Sequence, residues 1–525
     1  MTMPQEDLAD YLTTEIRNQD PLHSELLRDL AKLASSPMVN EEDFHATFLK
    51  VVTHSGIETR LQNAVFHLMR RKIFGLGGLH NHLNPRQTSL SHVNKFQQQW
   101  ERRISKSINS MASELGVCLA KVRCQEEQDE ILHKWTELST LDLDLSPFRP
   151  VYSPKDFLDI LAQISSPNLA EHCRPWGVIS IPLSVPNLDH LREKFSELAK
   201  GESHLGLNPL TSSSEDPGIT IETERYNLGQ KVIASNHAPL SQEFLKRGAP
   251  HSLRGQLWSQ VLGSEMCSKA DVEHYQALKD SVIQHDIMID KLIIKDVQLT
   301  AGNDDNYFVF ADVLLQTLLC FSRDTKILDK FQYSSSNPPK AILRGKHSGL
   351  ENMVIYPPNG IVPFHGFAMY AAPFCYVYAD PVQLYMTFRA FYLQFCYKLH
   401  EMSADPQGIV SLCALFEHLI ETHEPDLWSY LLSLEIQPLR LVFRWLVRGF
   451  AGHLLPDQLL YLWDIVLAHD SMTVFPLFAA SILSFRKDNI MQVDTLSSVE
   501  AVLADLSSLP VVPLLQHALE QNKMN

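Results

Sequence analysis

Several short strings in this 525-residue chain have the residue types of chemical sites, and most fail on spacing. Gly345-Lys346 resembles the end of a phosphate-binding loop. Such a loop needs a glycine five residues before Gly345 and a hydroxyl after the lysine, and Lys340 and His347 stand there instead. Gly75-Leu76-Gly77-Gly78 follows no convincing strand and lacks the third glycine of a dinucleotide fingerprint, so it reads as a loop. His80 and His82, with His92 downstream, have no cysteine or carboxylate beside them to complete a metal site. Asn303-Asp304-Asp305-Asn306 lacks the glycine and distant glutamate of a calcium loop and reads as a turn or helix cap. Neither G-x-S-x-G nor H-E-x-x-H occurs. No autonomous active site, metal or cofactor is expected. Arg440, Arg444 and Arg448, at i, i+4 and i+8, form a basic line that reads as a solvated helix face or a docking stripe for an acidic partner.

Composition narrows the classes further. Apolar residues make up 45% of the chain and charged residues 20%, enough to bury a large core. The net charge of −16 argues against non-specific nucleic-acid binding, whose affinity comes from neutralising phosphates. Eight cysteines without C-x-x-C spacing suit reduced thiols in a cytosolic protein. The acidic stretch Met1 to Asp20 has no apolar run and is not expected to be a signal peptide. Ile361 to Ala379 carries no formal charge, but Pro363, His365 and Pro373 make it a poor spanning helix, so a buried segment is expected.

The elements that must position any site are helical almost throughout. Asn40 reads as the N-cap of a helix with Phe44, Phe48, Val51 and Val52 on its apolar stripe. Trp100, Ile104, Ile108 and Met111 mark a long helix across 93–115. Ser153-Pro154 opens another, with Phe157, Ile160, Leu161 and Ile164 facing inward. In 178–185 the odd positions Ile179, Ile181, Leu183 and Val185 are apolar, which predicts an edge strand around Pro182. Asn187 caps a short helix carrying Leu188, Leu191, Phe195 and Leu198. The string GLNPLTSSSEDPG, 206–218, has linker composition. Beyond it Leu439, Val442, Phe443, Leu446, Val447 and Phe450 repeat at helical spacing, as do Leu455, Leu459, Leu462, Trp463 and Val466 after Pro456. The fold class expected is all-α. The organisation expected is a helical N-terminal region with one edge strand (1–205), a linker (206–235), a second domain (236–495) and a helical tail (496–525).

That second domain carries an ordered set of fragments. Gly248-x-Pro250-x-x-x-Arg254-x-x-x-Trp258 comes first, then Ile293-x-x-Asp296-x-x-Leu299-Thr300, then Phe364-His365-Gly366-Phe367. Pro425-x-Leu427, Arg444-Trp445, Leu455-Pro456 and Leu462-Trp463-Asp464 follow. Together they resemble the TBC domain of GTPase-activating proteins for Rab small GTPases. The resemblance implies a two-lobed helical domain whose partner is a Rab in its GTP form. It also implies a cytoplasmic protein, peripheral on endomembranes through that Rab and active in vesicle trafficking.

The family supplies its chemistry in trans: an arginine that neutralises the transferring phosphoryl group and a glutamine that holds the attacking water. The matching positions here hold Leu299 and His365. Leucine has no donor. Neutral imidazole lacks the paired donor and acceptor of an amide, so dual-finger catalysis is expected to be impaired. Arg323, Arg344 and Lys346, between the two positions, are the cations available as substitutes. Arg254, Trp258, Asp296, Thr300 and Gly366 match the remaining motif positions and are the expected Rab-facing set. Trp258, Trp445 and Trp463 also have a sufficient packing role, and a charge as near an apolar face as Arg254 needs a partner, for which Asp296 is the candidate. A non-catalytic Rab-binding adaptor and a helical scaffold independent of Rab are the competing readings.

Overall fold

The computed structural model describes residues 20–35, 41–75, 87–137, 145–164, 177–181, 183–198, 221–265, 269–328, 340–343, 352–355 and 357–520. The N-terminal half places α1 (Asp20–Ala34), α2 (Glu41–His54), α3 (Ile57–Gly75), α4 (Gln87–Leu115), β1 (Ala120–Val122), α5 (Gln125–Thr136), α6 (Pro154–Leu161) and α7 (Leu188–Lys194) in series. Next come α8 (Ile221–Ser235), α9 (Ala238–Leu245), α10 (Arg254–Leu262), α11 (Lys269–Gln284), β2 (His285–Ile287), α12 (Met288–Leu299) and α13 (Ala311–Arg323). The short strands β3 (Lys340–Leu343) and β4 (Asn352–Ile355) precede α14 (Pro381–Gln394), α15 (Ile409–His423), α16 (Pro425–Ser433) and α17 (Pro438–Val447). The chain closes with α18 (Pro456–His469), α19 (Val474–Phe485), α20 (Lys487–Ile490), α21 (Leu496–Ala504) and α22 (Val511–Glu520). The all-α expectation holds. Sheet among the described residues amounts to two antiparallel pairs, β1 with β2 and β3 with β4.

Local chemistry sets several helix starts where the sequence places them. Ser153 caps α6 reciprocally with Asp156, and Pro154 occupies its first turn, where its missing N–H costs nothing. Asn187 caps α7 through the His190 N–H at 2.9 Å. Pro456 opens α18. The core is built on aromatic rings. Trp258, Trp445 and Trp463 are fully buried, and Phe391 stacks on Trp258 at 6.3 Å and on Trp463 at 4.8 Å, the two indoles themselves lying 6.4 Å apart. The segment 361–379 is buried as two 3-10 turns and irregular backbone, and no helix among the described residues is long and apolar enough to cross a membrane.

One local expectation needs correction. The segment 178–185 is not a strand; it has one isolated bridge, at Ser180. Ile179 and Ile181 are buried as the alternation implies, but so is Val178, and the Val178 and Ile179 amides donate to the Glu417 carboxylate at 2.7 and 3.3 Å. A side-chain acceptor has taken the place of a neighbouring strand. The helix across Phe44 and Phe48 forms, yet the two rings stay 42% and 36% exposed, stacked on each other at 6.4 Å. Amphipathic spacing supplies the stripe without supplying a surface to cover it. Asn40, His80, His82, the 206–218 string, Arg344, Gly345 and Lys346 lie outside the described residues.

The N-terminal region packs against the rest of the chain along its length. β1 pairs with β2 in the register Ala120↔Ile287, Lys121↔Asp286, Val122↔His285. Arg70 bridges to Asp470 at 2.8 Å, Gln97 accepts from the Met402 amide at 2.9 Å, and Arg192 donates to the Leu519 carbonyl at 2.7 Å. α6 lies across α17, with Phe157 against Phe443 at 6.0 Å.

Candidate functional site

Two buried carboxylates organise the motif residues, and they do so separately. Asp464, inside α18, has no exposure. Its oxygens accept from Arg254 Nη2 at 3.0 Å and Nε at 3.2 Å, from Trp258 Nε1 at 2.6 Å and from the Ala249 amide at 3.0 Å. Arg254 also donates to the Ala249 carbonyl at 3.1 Å. The partner expected for Arg254 was Asp296; the structure gives it Asp464. The physical reason is that a fully desolvated guanidinium needs a full counter-charge and several acceptors, and α18 brings one carboxylate that supplies both. Arg254 and Trp258 are buried there, tying the first motif to the domain interior.

Asp296, inside α12 and 3% exposed, is used differently. Its two oxygens accept from the Gly366 and Ala368 amides at 2.6 and 2.7 Å. The second and third motifs are thereby joined, since the backbone loop carrying His365 hangs on this one side chain. Thr300, just past the helix, returns its hydroxyl to the Asp296 carbonyl at 2.6 Å. Leu299 ends α12 one turn beyond Asp296 and is 40% exposed. The side chain of His365 is 34% exposed; its Nδ1 lies 3.6 Å from Asp296 without making a hydrogen bond.

Gly366 is needed as glycine. It has φ of +105°, and a Cβ there would lie 2.2 Å from Arg448 Nε. Arg448 packs in that gap and donates to the His365 carbonyl at 3.2 Å, leaving its buried Nε unpartnered. Burial lowers the pKa of Arg448, and Asp296 opposes the shift. Burial, reinforced by Arg448 and Arg444, pushes the nearby His453 down to about 3, so its imidazole stays neutral.

The basic line on α17 is therefore split among three roles. Arg440 pairs with Asp159 of α6 at 2.8 Å, Arg444 is exposed, and Arg448, beyond the last turn of α17, supports the His365 loop. Arg323 is committed too, buried in a two-pronged pair with Asp290 at 2.5 and 2.7 Å. Asn303 to Asn306 form a turn in which Asp304 accepts from the Asn306 amide at 2.8 Å. Among the described residues no group of three or more His, Cys, Asp or Glu is placed to hold a metal ion.

Three working residues escaped the sequence reading. Asp464 stood in a quoted fragment, and a carboxylate within an apolar helical stripe was a sign that it had a partner to satisfy. Arg448 was visible as one of three arginines, with nothing to separate it from the others. Tyr152 was the least visible. Its carbonyl accepts from the His365 amide at 3.0 Å, and its ring stacks on Phe364 at 5.5 Å and 21°.

The arrangement places an exposed leucine and a partly exposed imidazole side by side, the latter on a loop held from behind by Asp296. The Rab-GTPase-TBC domain family matches residues 364–491, starting at that loop. In solved structures, the flagellar RabGAP TBC domain of Chlamydomonas aligns over 66% of this chain and 99% of its own, at 14% identity and a TM-score of 0.40. The Ypt/Rab-GAP domain of Gyp1p aligns over 64% and 97%, at 12% identity and 0.38. Human TBC1 domain family member 19 is 44% identical over 502 residues, 94% of each chain. With relatedness of that degree from end to end, this chain belongs to the TBC domain family of Rab GTPase-activating proteins.

Proposed function

We propose that the chain regulates a Rab-family small GTPase by docking its GTP form on the surface around Leu299, Thr300 and the His365 loop, with dual-finger GTP hydrolysis impaired. One observation carries this reading. Asp296 holds the Gly366 and Ala368 amides, which supports a preserved docking loop, while the exposed side chain one turn further on is Leu299, which has no charge to offer a phosphate. An arginine finger contributes about 10³–10⁵ in rate. Arg323 is held by Asp290 and so is a poor substitute. Arg254 and Trp258 support the surface from within, where their burial puts them. In this reading 236–495 is the Rab-facing unit, between a linker (206–235) after the N-terminal region (1–205) and a tail (496–525). The protein is cytoplasmic and reaches endomembranes through the Rab.

The non-catalytic adaptor is the limiting case, favoured by the same pairing of intact loop and missing cation. Single-turnover GTP hydrolysis across a panel of Rabs, with wild type beside a Leu299→Arg, His365→Gln double variant, tests both. We expect wild type to accelerate hydrolysis by less than about 10-fold and the double variant to gain about 100-fold or more on at least one Rab. Strong acceleration by wild type would sink the impairment. A panel in which no Rab binds either protein would favour the scaffold reading.

A further inference from the structure

We infer that the N-terminal region is a working part of the candidate site, with Tyr152 as the positioning residue of the His365 loop. The inference rests on the reading that this loop faces a GTPase, but its geometry stands apart from that reading. His365 is held at both of its backbone polar groups. Its N–H donates to the Tyr152 carbonyl at 3.0 Å, and its carbonyl accepts from Arg448 at 3.2 Å. Asp296 takes the next amide and the one two residues beyond it. Of these holds, Tyr152 alone comes from the N-terminal region.

Its own position is over-determined. The ring is buried between Phe364 of the loop, Trp100 of α4 and Phe157 of α6, at 5.5, 5.0 and 6.2 Å. Phe157 in turn meets Phe443 on α17, and Asp159 of α6 pairs with Arg440 on the same helix. Thus α6 is fastened to α17, the helix that leads directly into Arg448. One N-terminal segment reaches the loop by its backbone and braces the helix before the residue on the other side of that loop. A carbonyl aimed by two flanking aromatic contacts is a pre-set acceptor, and it fixes the backbone orientation that carries the imidazole.

Amide hydrogen exchange on the full chain tests this, comparing wild type with Tyr152→Ala, Tyr152→Phe and Trp135→Leu. Trp135 is a buried ring of the same region, but its ring meets Lys279 and its carbonyl accepts from Gln316, away from the loop. Exchange across 364–368 should be about 10-fold faster in Tyr152→Ala and within about 2-fold of wild type in the other two, with 249–258 unchanged in all. Rab affinity should fall with loop protection in Tyr152→Ala and be kept in Tyr152→Phe. If Tyr152→Ala fails to fold, Phe364→Leu, which removes the other half of the stack, must show the same local acceleration. Wild-type exchange in the folded variant, or equal acceleration by Trp135→Leu, overturns the inference. Should no Rab bind wild type, the proposed function falls while the exchange result still decides this one.

Discussion

Asp464 and Asp296 are both buried carboxylates in motif positions, and they do opposite kinds of work. Asp464 faces a guanidinium, an indole and an amide, all in the interior. Asp296 faces two backbone amides of a loop whose next side chain, His365, reaches the surface. The first arrangement is an ion pair whose members cannot be separated without stranding a charge in a dry core. The second is a charged acceptor spread over two neutral donors, so its loss frees a loop more than it breaks a core. Burial alone does not say which residue ties the core together and which holds a loop in place. The identity of the donors does.

Breaking each anchor should sharpen that contrast. Arg254→Ala leaves Asp464 charged and without its guanidinium, and should cost about 3–5 kcal/mol of global stability, read as a drop in urea midpoint at unchanged slope. Every function would be lost together, in proportion to the unfolded fraction. Asp296→Asn should cost less, about 1–3 kcal/mol, since one amide oxygen can still accept while the new NH₂ group faces a former donor. Its effect should be seen first as faster exchange across 364–368, with a smaller drop in urea midpoint than Arg254→Ala gives. If Asp296→Asn unfolds the chain as severely as Arg254→Ala, the two carboxylates have the same job and the contrast is lost.

How much of this was legible beforehand follows from what a sequence encodes locally. Capping at Ser153 and Asn187, the buried faces of α6, α7, α17 and α18, and the three buried tryptophans were all readable, because each depends on residues within a few turns. The ordered motif set was readable too, and the family it resembles is the one to which the chain belongs. What was not readable were contacts across the chain: Arg254 to Asp464 spans 210 residues, and the Glu417 carboxylate that replaces a strand for Val178 lies 239 residues away. Arg448 shows the limit sharply. Its spacing put it in line with Arg440 and Arg444, but α17 ends at Val447, so the helical wheel no longer governs where Arg448 points.

A third carboxylate extends the comparison to an effect that shows only as the pH is changed. Glu401 sits where α4 meets the turn after Leu399, beside the bond from the Met402 amide to Gln97. Burial raises its pKa to about 7, the Glu101 and Asp405 carboxylates add to the shift, and Lys398 opposes it. Asp464 and Asp296 are held by donors, whereas Glu401 is met by burial and two like charges, with Lys398 alone opposing them. The sign of the pH dependence follows. A carboxyl that is harder to ionise when folded holds more protons in the native than in the unfolded chain between about 4.5 and 7, so this contribution to stability falls as pH rises through that window. Glu401→Gln, which mimics the protonated form, should therefore leave stability nearly unchanged near pH 4.5 and raise it by about 3 kcal/mol at pH 7.5. Urea midpoints of both proteins at the two pH values check it: equal differences at both would mean that Glu401 ionises freely and that the junction between the two halves carries no proton.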